Sequence, residues 1–191
     1  ESHLLHHPNI RFTSLQSESM KIPQLTEYSI STEPKNESEA LDRLIISAKE
    51  SYSIDGIVHG GILSEYQKDS FSLSCKKNNL KIISPLWNME PESYMTKLIS
   101  ENFEYIISTV SSDGLNDSWL GRIIRDGDLI ELKKLQKKFN FNLNFEGGEA
   151  ETFVTNCPLF EKPIIIQDST TKWDGYRGRF EILEAKLKDN A

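Results

Sequence analysis

Hydrophobic residues in the first half of the chain recur with a helical period or stand in short apolar runs that predict strands. After Asn36, apolar residues recur every three or four positions and predict an amphipathic helix, which Asn36 would cap with Glu39 three residues later. Its inward residues would be Leu41, Leu44, Ile45 and Ala48. The next predicted elements are a strand at 55–61, a helix at 62–80, a strand at 81–87, a helix at 91–103 and a strand at 104–110. Because strands that alternate with helices usually pair in parallel, we expect an α/β fold with a mostly parallel sheet and helices on both faces.

The pattern changes after residue 110 and predicts a second, smaller domain of α+β type. Residues 111–122 are rich in Ser, Asp, Asn and Gly and predict a loop, and residues 127–139 predict a helix. The inward residues of that helix would be Leu129, Leu132 and Leu135. Strand-like segments follow at 152–154, 163–167 and 179–187, and the last would turn Phe180, Ile182, Ala185 and Leu187 inward. We therefore expect one domain over residues 1–88 and a second over residues 89–191.

The formal net charge of −7 at pH 7 disfavours bulk nucleic acid as a partner. Phosphate binding needs clustered Lys and Arg, and the lysine pairs at 76–77, 133–134 and 137–138 stand at the spacing of a solvated helix face. No apolar run reaches the roughly 18 to 20 residues that a membrane helix needs. We therefore expect a cytoplasmic protein without membrane contact.

Cysteine and histidine spacing predicts no metal site. Cys75 and Cys157 stand alone, without a CxxC pattern or a neighbouring histidine, and are expected to be buried free thiols. Cys75 would share the inward face of its helix with Tyr66 and Phe71. The histidines are expected at the surface or in turns: His3, His6, His7 and His59.

Gly60 and Gly61 follow a predicted parallel strand and precede a helix, which is where α/β proteins bind ligands. Helix N-termini at the carboxyl ends of parallel strands offer free N–H groups to phosphate or ribose oxygens, and glycine lets a ligand approach the backbone. Glycines also serve tight strand-to-helix turns for steric reasons alone. The pattern leaves both interpretations open.

Three glutamates, Glu146, Glu149 and Glu151, lie within six residues around a glycine pair. Two unit charges about 4 Å apart repel by roughly 1 kcal/mol in water, and by several times more when partly buried. If the turn brings them together, the cluster needs a cation, which Mg²⁺, a substrate ammonium group or a basic side chain of the protein could supply. The other interpretation is a solvated acidic turn. The apolar stretch after Glu151 predicts a strand that anchors the turn.

The three tryptophans, Trp87, Trp119 and Trp173, have two interpretations each. Most tryptophans pack in a core or at its rim. A tryptophan at the end of a strand can instead form a wall against a cationic ligand.

Four segments, in this order and at these distances, point to one family: GGILSEYQK (60–68), PLW (85–87), GLNDSWLGR (114–122) and EGGEAETFVTNCPLF (146–160). Together they resemble the diphthine–ammonia ligase family, also called the diphthamide synthase family, within the PP-loop ATP pyrophosphatases. The resemblance covers essentially the whole chain, and EGGEAETFV is its most specific part. Phe145 stands where the family usually has Gly, and Ala150 where it usually has an aromatic residue. The family's Ser-Gly-Gly-x-Asp-Ser loop is not in the sequence, and we expect it to precede Glu1 in the native protein.

The resemblance implies a Rossmann-like, adenine nucleotide alpha hydrolase-like fold for the remainder of a nucleotide-binding domain at 1–88, and a substrate-binding domain at 89–191. It implies a ligase that uses ATP and Mg²⁺ to activate the carboxylate of diphthine, a modified histidine, as an acyl-adenylate. Ammonia would then displace AMP. The implied partners are a diphthine-bearing translation elongation factor, ATP and ammonium, with a homodimer as the expected assembly. The alternatives are another PP-loop pyrophosphatase that modifies tRNA, or a non-catalytic module that binds a nucleotide or the elongation factor.

The resemblance also implies roles for individual residues, without a set of protein ligands for a metal. The catalytic residues would be Glu146, Glu149 and Glu151, which could balance the quaternary ammonium group of diphthine or hold the incoming ammonium. The nucleotide-binding residues would be Gly60, Gly61, Ser64, Tyr66 and Gln67. The substrate-binding residues would be Trp87, Trp119, Gly121, Arg122, Gly147, Gly148 and Thr152.

Overall fold

The computed structural model describes residues 9–189, which fold into two compact units. The first unit comprises residues 24–89, and the second comprises residues 9–23 and 90–189. The helices are α1 (Thr13–Met20), α2 (Pro34–Tyr52), α3 (Glu65–Lys77), α4 (Pro91–Ser100) and α5 (Asp126–Phe139). The strands are β1 (Gly56–Val58), β2 (Lys81–Ile83), β3 (Glu104–Val110), β4 (Ala150–Asn156), β5 (Ile164–Trp173) and β6 (Gly178–Leu187).

In the first unit, β1 and β2 pair in parallel, with Ile57 opposite Ile82. The buried core of this unit comes from α2, α3 and the residue before β2, and consists of Leu41, Ile45, Cys75 and Leu80. The predicted mixed α/β organisation and the parallel pairing of these two strands are confirmed. Among the described residues, the parallel sheet has no further strand.

Helix α2 begins two residues before its predicted cap. Pro34 occupies the first turn and Glu33 is the N-cap residue. Proline has a fixed φ and no N–H group, so it suits the first turn of a helix and determines where this one begins. Asn36 lies inside that turn and donates from its amide to Ser31 Oγ at 2.6 Å. The prediction that Asn36 caps the helix was therefore wrong.

Helix α3 is shorter than predicted because Ser64 caps it, accepting a hydrogen bond from Gln67 N at 3.3 Å. Cys75 is buried and Phe71 packs against the core of the first unit, as predicted. Tyr66 is exposed, so its predicted inward position was wrong. The reason is geometric: Tyr66 and Cys75 are about two and a half helical turns apart and lie on opposite faces of α3.

The second unit contains a four-stranded antiparallel sheet in the order β4-β3-β6-β5. The expectation that β3 continues a parallel sheet was wrong, because β3 pairs antiparallel with β4 and β6. Tyr105, Ile106 and Ile107 are all buried, so both faces of β3 are covered. An antiparallel strand that is covered on both faces has the apolar composition of a central parallel strand, and composition therefore misled the prediction.

Residues 9–23 belong to the second unit, although the expected first domain at 1–88 included them. The Asn9 side chain donates to Phe180 O at 3.0 Å and accepts from Ile182 N at 2.9 Å, both in β6. Arg11 adds a hydrogen bond to Ile182 O at 2.8 Å. Polar side chains thus attach this segment to β6, and its helix α1 has no marked apolar face that would have predicted it.

The inward residues predicted for the second unit are confirmed. In α5, Leu129 and Leu132 are buried and Leu135 packs against the same cluster. In β6, Ile182 is fully buried, and Phe180, Ala185 and Leu187 pack around it. The predicted strand after Glu151 is also present, as β4.

Both cysteines, Cys75 and Cys157, are buried free thiols, as predicted. His59 lies in the turn after β1, as predicted, but it is buried. His3, His6 and His7 lie outside the described residues. Between residues 9 and 189, no helix combines the length and the hydropathy that a membrane crossing requires.

Candidate functional site

The turn after β1 carries the residues predicted to bind a nucleotide. His59 N donates to Ile83 O at 2.8 Å and extends the parallel pairing by one residue. The chain then leaves the sheet through Gly60 and Gly61 and reaches Ser64, the N-cap of α3. This turn joins the carboxyl end of a parallel strand to a helix N-terminus, the arrangement in which α/β proteins bind phosphate and ribose groups.

Gly60 and Gly61 have different reasons to be glycine. A Cβ atom on Gly61 would lie 2.3 Å from His59 Cε1, and the His59 ring packs against Phe71 with 4.6 Å between centroids. Packing alone therefore requires glycine at position 61. A Cβ atom on Gly60 would meet no other atom within 4 Å, and Gly60 is exposed. At position 60, glycine leaves the backbone open to a ligand.

We expect Gly61→Ala to destabilise the protein and Gly60→Ala to leave its stability unchanged. Because His59 is buried and has little room to move, Gly61→Ala should lower the free energy of unfolding by about 1 to 3 kcal/mol. Gly60→Ala should change it by less than about 0.5 kcal/mol. Urea unfolding of both variants checks this. Equal destabilisation by the two substitutions would contradict the geometry.

The remaining residues predicted to bind the nucleotide lie at the start of α3, next to the glycine turn. Ser64 Oγ is engaged in the helix cap. Gln67 Oε1 would lie 3.3 Å from a Cβ atom on Gly61, so the Gln67 carboxamide adjoins the turn. Tyr66 is exposed on the same helical turn. The structure thus brings the predicted nucleotide-binding residues together on one short segment.

Trp87 belongs to the same unit as the glycine turn, although it is predicted to bind substrate. Asn88 N donates to Ile62 O at 2.9 Å and joins the loop after β2 to the turn after β1. Lys68 Nζ lies 3.9 Å from the centroid of the Trp87 ring. A lysine of the protein therefore already occupies the ring face that the prediction assigns to a substrate cation.

Trp119 is a core residue of the second unit, with only 2% of its surface exposed. Its burial favours packing over the interpretation as a wall against a ligand. Arg122 stacks on the Trp119 ring, with 4.7 Å between the guanidinium carbon and the ring centroid. Arg122, which is half-buried, is therefore the more accessible member of this pair.

Arg122 is held by acidic residues of α5. Its guanidinium group donates a hydrogen bond to Asp128 and lies 3.8 Å from Glu131. The Asp128 carboxylate also accepts from Arg125 N at 2.9 Å, which satisfies the backbone N–H of the N-cap residue of α5. Asp128 thus fixes the position of Arg122. Asp128 was not predicted from the sequence, because the N-cap residue Arg125 lacks the Ser or Thr side chain that makes a capping box recognisable.

Gly121 has a packing role. Its φ of +74° favours glycine, and a Cβ atom there would lie 2.5 Å from Cε2 of Phe180. Gly121 N donates to Ile107 O at 2.9 Å and attaches the loop to β3. Gly121 therefore positions its neighbour Arg122, whereas direct contact with a substrate remains a prediction.

Glu149 closes a loop, residues 142–149, that we call the acidic loop. One Glu149 oxygen accepts from Asn142 N at 2.8 Å and from Asn142 Nδ2 at 3.0 Å, and the other accepts from Gly147 N at 2.8 Å. A Cβ atom on Gly147 would lie 2.6 Å from Glu149 Oε1, so packing requires glycine there. Donors from the loop itself therefore stabilise the charge of Glu149.

Two further features hold the acidic loop in place. Ser111 donates from Oγ to Gly148 O at 2.6 Å and from its backbone N to Glu149 O at 2.8 Å. Phe145 has a φ of +62°, in the region that glycine favours, while its ring is buried and stacks on Phe141 with 6.4 Å between centroids. The burial of the ring offsets the backbone strain. This accounts for an aromatic residue where the family resemblance predicts glycine.

The structure separates the three glutamates that the sequence treats as equivalent. All three are half-buried, but Glu149 closes the acidic loop with its hydrogen bonds, Glu146 lies within the loop, and Glu151 follows it. Glu151 N donates to Thr109 Oγ1 at 3.0 Å at the start of β4, and Thr152 after it is exposed. Throughout the described part of the chain, no group of three or more His, Cys, Asp or Glu could hold a metal ion.

Two tyrosines of the second unit, the partly buried Tyr94 and the buried Tyr105, have raised pKa values. Burial raises the pKa of Tyr94, and the negative charge of Glu146 raises it further. Burial also raises the pKa of Tyr105 strongly, with smaller contributions from Tyr94 and Asp128. Both phenols are therefore neutral at physiological pH.

Two cavities in the second unit, of about 290 and 400 Å³, lie beside α4. The smaller one is also lined by Lys133 and by Asn142 of the acidic loop. Glu146, Glu149 and Glu151 line neither of them. These cavities therefore do not coincide with the predicted catalytic residues.

Comparison with known proteins places these features in one family. The diphthamide synthase N-terminal domain model matches residues 1–82, and the diphthamide synthase C-terminal domain model matches residues 90–187. The diphthine–ammonia ligase of Bos taurus is 39% identical over 137 residues, covering 70% of this chain and 50% of that protein. The corresponding protein of Homo sapiens is 38% identical over 137 residues, with the same coverage.

A fungal relative, the diphthine–ammonia ligase of Schizosaccharomyces pombe, is 34% identical over 135 residues, which are 70% of this chain and 22% of that protein. The chain matches half of the length of its mammalian relatives. The two domain models follow one another along the sequence and together cover most of it. The chain therefore belongs to the diphthamide synthase family.

Proposed function

We propose that the protein that contains this chain is a diphthine–ammonia ligase. The diphthine carboxylate would attack the α-phosphate of ATP, which forms an acyl-adenylate and releases pyrophosphate. Ammonia would then attack the acyl carbon, AMP would leave, and one proton would be lost as the amide forms. The substrate would be a diphthine-bearing translation elongation factor, with ammonium as the nitrogen source.

The observation that carries this proposal is the closed acidic loop in a chain that matches both domains of the family. Glu149 stabilises the loop, and the half-buried carboxylates of Glu146 and Glu151 lie within it and just after it. A carboxylate in such a position attracts a fixed positive charge more strongly than one in bulk water does. The quaternary ammonium group of diphthine and the incoming ammonium are both suitable cations.

In this proposal the first unit binds ATP. Gly60 leaves its backbone open at the carboxyl end of β1, and the N-terminus of α3 follows with its positive dipole end. These features fit an anionic or ribose-bearing ligand. Mg²⁺ would enter with ATP and neutralise part of the charge of its phosphates, since no carboxylate cluster of the described residues would hold the ion.

We expect Glu146→Gln to reduce ligation by about 10-fold or more while the fold stays intact. The substitution keeps the shape of the side chain and removes the charge that would attract the substrate cation. Since Glu146 is half-buried beside the neutral Tyr94, the melting temperature should change little. Amide formation on the diphthine-bearing factor, followed by mass spectrometry, measures the effect.

The matched control for Glu146→Gln is Glu161→Gln. Glu161 is an acidic residue of the same unit, paired with Lys21 at 2.5 Å and distant in sequence from the acidic loop. Glu161→Gln should catalyse ligation as fast as the unmodified protein does. Equal losses in the two variants would indicate a general effect of charge and would contradict a specific role of Glu146.

The acyl-adenylate step can be tested without ammonium. The full-length gene product should exchange labelled pyrophosphate into ATP only when the diphthine-bearing factor is present. Exchange that does not depend on the factor would contradict the proposed step. Salt-sensitive binding of bulk tRNA at about micromolar concentration would instead support a tRNA-modifying pyrophosphatase.

A further inference from the structure

Glu37 is a buried carboxylate that receives no hydrogen bond. It lies in the first turn of α2 with 1% of its surface exposed. Neither Oε1 nor Oε2 has a hydrogen-bond partner among the described residues. Burial of a carboxylate without partners costs several kcal/mol, because its hydration is lost and nothing replaces it. Such a group requires an explanation beyond packing.

Glu37 stands on the inward face of α2. Ala40 and Leu41, three and four residues later, are buried on the same face, and Leu41 belongs to the core of the first unit. An apolar side chain at position 37 would continue this stripe without cost. The carboxylate therefore interrupts the core at one end of the helix. The first turn of the helix supplies no hydrogen bond to the side chain.

The path of the chain places Glu37 at the end of the unit that carries the glycine turn. From Glu37 to Tyr52, α2 rises about 22 Å at 1.5 Å per residue. After a turn at residues 53–55, β1 returns against the inward face of α2, and Ile57 packs on the Leu41 and Ile45 cluster. The extended chain from Asp55 to Gly60 covers roughly 16 Å. The N-terminal turn of α2, with Glu37, therefore lies toward the carboxyl ends of the parallel strands, the end of the unit that carries Gly60.

We infer that Glu37 binds the ribose of the nucleotide by accepting hydrogen bonds from its 2′- and 3′-hydroxyl groups. This inference rests on the proposed function, which places ATP at this end of the first unit. A carboxylate with both oxygens unused is complementary to a pair of adjacent hydroxyl donors. Acidic side chains bind ribose hydroxyls at the same edge of other nucleotide-binding α/β sheets. Glu37 is then a specificity-determining residue for ribonucleotides.

The test measures nucleotide binding by calorimetry with the full-length gene product. The ligands are ATP, 2′-deoxy-ATP, 3′-deoxy-ATP and the triphosphate of purine riboside, which lacks the 6-amino group. The unmodified protein should bind ATP at least about 10-fold more tightly than either deoxy analogue, the effect of one hydrogen bond to a charged group. Glu37→Gln should weaken ATP binding about 10-fold and remove the discrimination against the deoxy analogues.

The matched control is Glu39→Gln, two residues along α2 on its exposed face. It should bind all four ligands as the unmodified protein does. If Glu37→Gln still binds ATP more tightly than the deoxy analogues, the inference is overturned. It is also overturned if Glu37→Gln weakens binding of ATP but not of the purine riboside triphosphate, because Glu37 would then contact the 6-amino group. If the unmodified protein binds ATP and its deoxy analogues with equal affinity, the inference fails while the proposed function stands. If it binds no ATP, the proposed function fails as well.

A second variant separates binding from folding. Glu37→Met has a similar shape and needs no partner, so it should raise the melting temperature or leave it unchanged while it removes the deoxy discrimination. A strongly lowered melting temperature would mean that Glu37 has a structural partner in the protein. That result would overturn the inference.

Discussion

Glu149→Ala is expected to open the acidic loop and to lower the free energy of unfolding by about 2 to 3 kcal/mol. The substitution removes the acceptor of three hydrogen bonds, two from Asn142 and one from Gly147 N. Hydrogen bonds to charged groups are stronger than neutral ones, but these donors are exposed and water can replace part of the loss. Thermal unfolding with circular dichroism measures the change in stability.

Ligation should fall about 100-fold in the same variant, even when corrected for the folded fraction. In the proposed function, the loop positions Glu146 against the substrate cation, and displacements of about 1 Å can cost 100-fold in rate. Glu146→Ala is the matched control, because it should reduce ligation with little effect on stability. If Glu149→Ala were as stable as the unmodified protein, the hydrogen bonds of Glu149 would not hold the loop.

Gly121→Ala is expected to have the other large effect, a loss of about 3 to 4 kcal/mol in the free energy of unfolding. An alanine at φ +74° is strained by about 1 to 2 kcal/mol. Its Cβ atom would also lie 2.5 Å from the Phe180 ring, and such overpacking typically costs about 1 to 3 kcal/mol. Phe180 packs against the core around Ile182, so its ring has little room to move. Urea unfolding at several temperatures measures the loss.

Gly148→Ala is the matched control for Gly121→Ala. Gly148 has a similar φ of +79°, but a Cβ atom there would meet no other atom within 4 Å. Gly148→Ala should therefore lower the free energy of unfolding only through backbone strain, by about 1 to 2 kcal/mol. In a protein that already carries Phe180→Ala, Gly121→Ala should cause a smaller loss in the free energy of unfolding, because the ring it would contact is absent. Similar losses for Gly121→Ala and Gly148→Ala would show that contact with Phe180 contributes little.

Local patterns in the sequence predicted most of the individual elements, because each depends on neighbouring residues. The inward residues Leu132 and Ile182 follow from helical and strand periods. The direction of β3 could not be predicted, because burial on both faces gives the same composition in parallel and antiparallel sheets. The attachment of residues 9–23 to β6 depends on Asn9 and Arg11, polar residues whose partners lie about 170 positions away.

The candidate site shows the same division between local and distant information. Sequence resemblance predicted functional roles for the acidic loop and the glycine turn, and it gave Glu146, Glu149 and Glu151 one role. The distinct role of Glu149 depends on where the chain at Asn142 returns, which only the fold supplies. The presence of Phe145 at a backbone position that favours glycine also depends on the fold, since its ring is buried and packs on Phe141. Glu37 and Asp128 were not predicted, because the burial of Glu37 and the hydrogen bonds of Asp128 depend on the fold.

The most direct test of the proposed function is the stoichiometry of the complete reaction. The full-length gene product, supplied with ATP, Mg²⁺, ammonium and the diphthine-bearing elongation factor, should form one AMP for each amide, with no AMP when the factor is omitted. Mass spectrometry of the factor and chromatography of the nucleotides measure both products. AMP and amide in equal amounts is the predicted result. Release of ADP, or no amide with all four components present, would contradict it.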